Sequence, residues 1–332
     1  MKKLKVGMMS FAHGHAGFFL HWLSQRPDVE VTGIYDELSE RVQGTVAHYG
    51  MAYFTDYETL LASDIDAVVI CSENARHAEM TIAAAKAGKH VLCEKPLGLS
   101  DGEMQAMIAA CSQHGVQLMT AFPCRFAPAV QTAKHRLERG ELGEILAVKG
   151  YNRGLRGEGW FVDPALSGGG AVIDHTVHVM DLMHWFLNAQ VSSVYAEVGK
   201  LFVPEAEVDD AAMIHLTFDN GVIGVLDPSW SRSTSYPTWG DVRLEIIGTT
   251  GVLEVDALAD KVHLYSNDAA KSQWVNWGVD INQALIDAWV DALQSGTLVP
   301  VNGEDGYAAA KVALAAYASA ERQAPVAIGG GA

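Results

Sequence analysis

Two hydrophobic patterns divide the chain. Up to about residue 122, short unbroken apolar runs alternate with stretches of helical period. Residues 4–9 (LKVGMM), 29–35 (VEVTGIY), 67–71 (AVVIC), 90–93 and 116–121 (VQLMTA) read as strands. Helices are predicted over 15–25, from Asp36 to Tyr49, at 55–62, up to Ala87, and from the Ser100-Asp101-Gly102-Glu103 capping box to Gly115. Gly50 and Gly88 follow two of these helices as stops. Unbroken apolar strands between helices predict a parallel sheet covered on both faces. Such sheets bind ligands at the carboxyl ends of their strands.

Beyond residue 123 the strands lengthen and alternate: 144–152, 191–199, 210–218, 222–230 and 241–247. Asp219-Asn220-Gly221 is a hairpin turn signal. Helices are expected near 126–139, 175–187, 280–294 and 304–322. The prediction is an α/β fold with a doubly wound parallel sheet over 1–122. A second α+β domain over 123–332 carries a large, mostly antiparallel sheet, and its late helices are free to pack back on the first domain. The Gly-rich tail at 329–331 is expected to fray.

Composition narrows the function. The 332 residues comprise 49% hydrophobic and 19% charged residues, an ordinary globular balance. The 23 basic against 40 acidic residues give a net charge of −17, which argues against nucleic acid or anionic membrane as partner. Lys2, Lys3 and Lys5 precede an apolar stretch, but His13, Gly14 and His15 interrupt it, so a first strand is expected rather than a signal peptide. Cys71, Cys93, Cys111 and Cys124 fit no disulfide or metal spacing and read as reduced thiols of a cytoplasmic protein.

The first turn reads Gly7-Met8-Met9-Ser10-Phe11-Ala12-His13-Gly14-His15. A dinucleotide fingerprint wants glycines at Ser10, Ala12 and His15, so the pattern is degraded, and an ordinary βα loop fits as well. Asp36 ends the second strand, where a carboxylate accepts the adenosine ribose hydroxyls or simply caps a helix. With Glu37 after it and no adjacent arginine, NAD is favoured over NADP. Glu94-Lys95-Pro96 follows a strand directly, which points the Lys95 ammonium at a substrate oxygen unless it is a plain surface lysine. Asp174 and His178 lie one turn apart on a predicted helix behind Gly168-Gly169-Gly170, with Asp181 a turn further on. They form either a proton-transfer pair or satisfied core polar groups. Asp174, His175 and His178 as metal ligands are disfavoured, because neighbouring positions diverge by about 100° on a helix, and no metal is expected.

In these features the chain resembles the glucose–fructose oxidoreductase / inositol dehydrogenase (Gfo/Idh/MocA) family. The opening turn, Glu94-Lys95-Pro96, the Gly-rich lead into Asp174-x-x-x-His178-x-x-Asp181, and Gly303-Glu304-Asp305-Gly306 before an Ala-rich helix carry the likeness. The resemblance implies a Rossmann domain followed by an open-faced sheet domain. It also implies NAD(P)-dependent hydride transfer at a hydroxyl-bearing carbon of a sugar or polyol. By matching, Lys95, Asp174 and His178 are its catalytic positions. Ser10, Phe11, Ala12, His13, His15, Asp36, Ser72, Glu73, Asn74, His77, Glu94, Lys95 and Arg125 fall where the family holds its cofactor. Ser72-Glu73-Asn74 departs from the more usual Thr-Pro-Asn.

Under that resemblance His178 takes the hydroxyl proton, Asp174 orients it or binds substrate, and Lys95 stabilises the oxyanion. Arg153 and Trp160, with Tyr151, Asn152 and Arg156, are candidates for substrate contact, against the plainer reading of a solvated loop. Trp230 and Trp239 read as packing or subunit contacts. An open sheet face calls for self-association, so a homodimer or homotetramer is expected. The rival readings are a non-catalytic dinucleotide or sugar sensor and a metal-dependent lyase or isomerase.

Overall fold

The structure is a computed structural model that describes residues 3–268 and 271–329. Residues 330 and 331 of the expected tail lie outside the described residues. The elements are β1 (Leu4–Met9), α1 (His15–Gln25), β2 (Val29–Tyr35), α2 (Ser39–Tyr49), β3 (Ala52–Phe54), α3 (Tyr57–Ala62), β4 (Ala67–Ile70), α4 (His77–Lys86), β5 (His90–Cys93), α5 (Asp101–Gln113) and β6 (Leu118–Thr120). There follow α6 (Pro128–Glu138), β7 (Ile145–Gly154), α7 (Pro164–Ser167), α8 (Ala171–Leu187), β8 (Val191–Gly199), β9 (Ala211–Phe218), β10 (Ile223–Ser229), β11 (Gly240–Gly248) and β12 (Val252–Asp256). Last come β13 (Lys261–Ser266), β14 (Lys271–Asn276), α9 (Ile281–Ser295), α10 (Gly303–Arg322) and β15 (Val326–Ala327).

The chain separates into two compact units. One holds the residues through Phe122 together with Asn282–Tyr307, the other Pro123–Ile281 and the residues from Ala308 on. In the first, six parallel strands run in the order β3-β2-β1-β4-β5-β6. This is the doubly wound Rossmann order, whose ligand crevice lies at the switch between β1 and β4. All four residues of β4 are buried, as expected of a strand covered on both faces. Arg26 ties α9 to this unit through Asp287 at 2.8 Å and Asp291 at 2.6 Å.

In the second unit seven strands run β12-β11-β7-β10-β9-β8-β15. The sheet is mixed, because β10 runs parallel to β7 while the other pairs are antiparallel. Helix α8 lies against β7, β9, β10 and β11. Fourteen of its 17 residues are buried, so it is a core helix, and it carries His175, Thr176, His178, Asp181 and His184 into that interior. Strand parity on β7 decides which residues meet it. Gly150 leaves room for Val179 and Met183, and Gly154 leaves room for the His175 ring. The intervening Lys149 and Arg153 point to the other face and pair there with Glu245 and Asp227.

The sequence reading passes over β3, β12, β13, β14 and β15, which are short or rich in polar residues, and starts α8 four residues late. The four cysteines are free and buried.

Candidate active site

The β1–α1 turn carries the dinucleotide geometry without its glycines. Ser10 takes φ +69°, the left-handed conformation that the first fingerprint glycine supplies at no steric cost. Its own hydroxyl steadies it by accepting from the Ala12 N–H at 3.2 Å. Asp36 at the end of β2 is fully buried. Its carboxylate accepts from Phe11 N–H at 2.7 Å and Leu38 N–H at 2.8 Å, and faces Arg41 at 3.2 Å. Arg41, five residues on, is therefore the neighbouring arginine that the sequence reading missed by looking only beside Asp36. The strand order, the left-handed turn and the carboxylate at the β2 end together fit a bound dinucleotide.

The backbone donors of this turn are already engaged. Phe11 N–H meets Asp36, Ala12 N–H meets Ser10, His13 N–H meets the Cys71 carbonyl at 2.9 Å, and His15 N–H meets His13 Nδ1 at 3.1 Å. A diphosphate-binding turn ordinarily offers such groups to the ligand. Here two imidazoles line it instead, with ring centroids 4.4 Å apart. His15 Nδ1 donates to Glu94 Oε1 at 2.8 Å, and His13 Nδ1 lies 4.0 Å from the same oxygen. Burial works to raise the Glu94 carboxyl. The imidazoles of His13 and His15 and the Lys95 ammonium outweigh it and hold the group well below the usual carboxylate range.

Among the described residues His13, His15 and Glu94 are also the trio close enough to hold a metal, their ligand atoms lying within 4.8 Å. The lone pair of His13 Nδ1 is already used by the His15 N–H. The sequence-weighed trio Asp174, His175 and His178 does not form such a group.

Lys95 is buried, its N–H donates to Glu94 Oε2 at 3.1 Å, and the Lys95–Pro96 bond is cis. Ser72, Glu73 and Asn74 are buried on the loop after β4. His77 is fully buried, with Nδ1 2.8 Å from the Pro96 carbonyl and Nε2 3.3 Å from that of Ser72. It braces the loop against the Lys95–Pro96 segment, and burial lowers its imidazole.

The second unit's site centres on the N-terminal half of α8. Asp209 caps that helix from the segment before β9. Its carboxylate accepts from Gly170 N–H and Val172 N–H, both at 2.8 Å, and from the Tyr317 hydroxyl at 2.7 Å. The run Gly168-Gly169-Gly170 exists for this approach, since a Cβ on Gly170 would strike the Asp209 backbone and one on Gly169 the Tyr317 hydroxyl. Past the cap, Asp174 Oδ2 accepts from Trp230 Nε1 at 3.2 Å and lies 3.2 Å from His175 Nε2. The Trp239 ring stands 6.1 Å from that of His178 and 6.0 Å from that of His175. Trp230 packs in a core cluster with Ala171 and Val208, as read from sequence, and its indole N–H also reaches Asp174, while Trp239 stands beside the two α8 imidazoles.

Arg125 forms a two-pronged pair with Asp181 of α8, through Nε at 3.0 Å and through Nη2, and lies over the Trp185 ring. Arg153 is not brought to the α8 face. It pairs with Asp227 across the sheet at 2.7 Å, on the face of β7 turned away from α8. Trp160 stacks on Phe161 in a short 3-10 turn.

A Rossmann sheet of this order, joined to a sheet domain whose core helix carries a carboxylate and imidazoles, defines a two-domain nicotinamide-dependent oxidoreductase. The profile of the oxidoreductase family with an NAD-binding Rossmann fold matches residues 6–122, and that of the Gfo/Idh/MocA C-terminal domain matches residues 130–254. The chain is 31% identical over 325 residues to the uncharacterised oxidoreductase YrbE of Bacillus subtilis strain 168, covering 92% of this chain and 91% of that one. It is 32% identical over 263 residues to the NAD+-dependent scyllo-inositol 2-dehydrogenase of the same organism, covering 77% and 73%. The crystal structure of GenD2 from gentamicin A biosynthesis, in complex with NAD, superposes with a TM-score of 0.89 at 26% identity, covering 99% and 97%. The chain belongs to the Gfo/Idh/MocA family. It is an oxidoreductase, and NAD is its cofactor. Among the described residues no helix is long and apolar enough to cross a membrane.

Proposed function

We propose that the enzyme oxidises a secondary alcohol of a sugar or polyol, or reduces the corresponding ketone, with Lys95, Asp174 and His178 as its catalytic groups. When bound, NAD supplies the hydride acceptor, and the β1–α1 turn, Asp36, the loop at residues 72–74 and the Glu94-Lys95 segment are the residues that hold it. His178 takes the hydroxyl proton as the carbon loses hydride and returns it in the reverse direction. Asp174 binds a substrate hydroxyl or orients His178, and the Lys95 ammonium stabilises the developing oxyanion. Trp160 supplies an apolar face for a sugar ring.

The observation that carries this reading is the α8 surface. Asp174, capped in place by way of Asp209, sits one turn from His178 under two indoles. The names of the relatives support a polyol or sugar as substrate. His178→Ala should lower turnover about 10²–10⁴-fold, while NADH binding, read by fluorescence, stays near wild type. Wild-type turnover in that variant overturns the assignment.

The sheet face away from α8 supports self-association into a homodimer or homotetramer. It leaves Tyr195, Met213, Ile223 and Val225 exposed. A monomer in sedimentation at micromolar concentration counts against it. Four buried free thiols fit the reducing cytoplasm as its setting.

A further inference from the structure

Glu73 puts a carboxylate on the loop after β4, where proline is more usual. The backbone does not call for it. Glu73 has φ −59° and ψ 147°, angles that a proline also takes, and its carbonyl closes the turn by accepting from the Arg76 N–H at 3.0 Å. The side chain has a different partner. The residue is 4% exposed, its Oε1 lies 3.7 Å from Arg41 Nη2, and its Oε2 makes no hydrogen bond. Arg41 Nη1 lies 3.2 Å from both oxygens of Asp36, so one guanidinium faces two carboxylates. Arg76, three residues beyond Glu73, is held in the same way, by Glu37 and by Glu79 at 3.1 Å. Near the ends of β2 and β4 the two positive charges of Arg41 and Arg76 thus stand against the four negative charges of Asp36, Glu37, Glu73 and Glu79. A further anion brought there is repelled, and both guanidinium groups that could receive it are already paired.

We propose that Glu73 is a second determinant of coenzyme choice, which retains Arg41 when Asp36 does not and so withholds it from a 2′-phosphate. In wild type the shorter pair with Asp36 holds the guanidinium, and Glu73 stands behind it at 3.7 Å. Without Asp36 the guanidinium passes to Glu73, whose unclaimed Oε2 lets the carboxylate take it by two prongs. Glu73 therefore acts through Arg41 rather than by touching the nucleotide. Its low exposure keeps the pair from being screened as a surface pair is. The two carboxylates are redundant by design of the site: each alone keeps Arg41 occupied, and a 2′-phosphate gains the arginine only when both are gone.

Calorimetric titration of the whole protein with NADH and with NADPH, in the absence of any polyol, tests this without reference to turnover. The quantity read is the ratio of NADPH to NADH affinity. Glu73→Gln alone should raise it by about threefold or less, since Asp36 still holds Arg41. Added to Asp36→Ala, the same substitution should raise it about tenfold beyond Asp36→Ala itself, because the guanidinium is then released to the phosphate. Added to Asp36→Ala/Arg41→Ala, it should again give about threefold or less, the effect of one charge removed with no arginine to release. Glu73→Pro, which the backbone angles accommodate, should reproduce each of these ratios, and either substitution suffices for the comparison. A ratio that Glu73→Gln and Glu73→Pro leave unmoved in Asp36→Ala overturns the proposal. An equal gain with and without Arg41 overturns it as well, since Glu73 is then a bare charge and not a partner that retains the arginine.

Discussion

His15 Nδ1 and the Glu94 carboxylate meet at 2.8 Å, joining the first turn of α1 to the end of β5 across 79 residues of sequence. The carboxylate is fully buried and ionised, and each donor it holds offsets part of the cost of burying that charge. The glycines usual in this turn could not make the contact. The residues that degrade the fingerprint are thus the ones that satisfy Glu94.

His15→Ala should accordingly destabilise the protein by about 1–3 kcal/mol, the range for leaving a buried group without one of its partners. Glu94→Gln added to that variant should cost less than it does alone, because the pair is coupled. Urea denaturation of the four proteins checks this, and additive effects would show that the contact is energetically idle.

The cap on α8 makes a second prediction. Tyr317→Phe removes the hydroxyl that donates to Asp209 and accepts from Gly170 N–H at 3.2 Å and Ile173 N–H at 3.3 Å. A loss of about 1–2 kcal/mol is expected. Gly170→Ala should cost more, since its Cβ would meet backbone that cannot move aside. If Gly170→Ala proves the milder change, the close approach to Asp209 is not what selects glycine there.

How much of this was legible in the sequence follows from the range of each interaction. That Asp174 and His178 share one face of a helix could be read because helical spacing is local, and the parallel sheet because its strands are unbroken apolar runs. The Asp209 and Tyr317 cap joins positions 108 residues apart and has no local signal. His175 was set aside on the 100° divergence of neighbouring helix positions. That divergence applies to Cβ directions, and the Asp174 carboxylate and the His175 ring are long enough to close it. The face of β7 that carries Arg153 could have been read from parity alone, since Gly150, Asn152 and Gly154 mark the inward face.

Acid should weaken the fold through His184. The ring is buried with neither nitrogen hydrogen-bonded, and burial, aided by the Arg125 charge, lowers it to about 4. Unfolded, it takes a proton near its ordinary value of 6.5. Between those values the unfolded chain binds the extra proton, so stability falls as pH falls, by about 2 kcal/mol at pH 5. Below about 4 the folded form is protonated too, and this contribution levels off. His184→Leu should remove that part of the difference between urea midpoints at pH 7.5 and pH 5. A variant as acid-sensitive as wild type would place the effect elsewhere.

Coenzyme choice should turn on Asp36 and Arg41. The carboxylate closes β2, where Rossmann sheets ordinarily meet an adenosine ribose, and holds the Arg41 guanidinium at 3.2 Å by both of its oxygens. While Asp36 is present, a 2′-phosphate meets an anion whose neighbouring cation is already paired, which favours NAD. Asp36→Ala removes the repulsion and leaves the Arg41 guanidinium, which Glu73 still faces at 3.7 Å, without its shorter pair and suited to bidentate phosphate contact. The ratio of NADPH to NADH affinity should therefore rise about tenfold or more, worth about 1.4 kcal/mol. In Asp36→Ala/Arg41→Ala the charge repulsion is still gone but the new partner is missing, so the ratio should fall back part of the way. Fluorescence titrations of both nucleotides against the three proteins measure this directly. An unchanged ratio in Asp36→Ala would mean that the ribose end of the cofactor lies away from the end of β2.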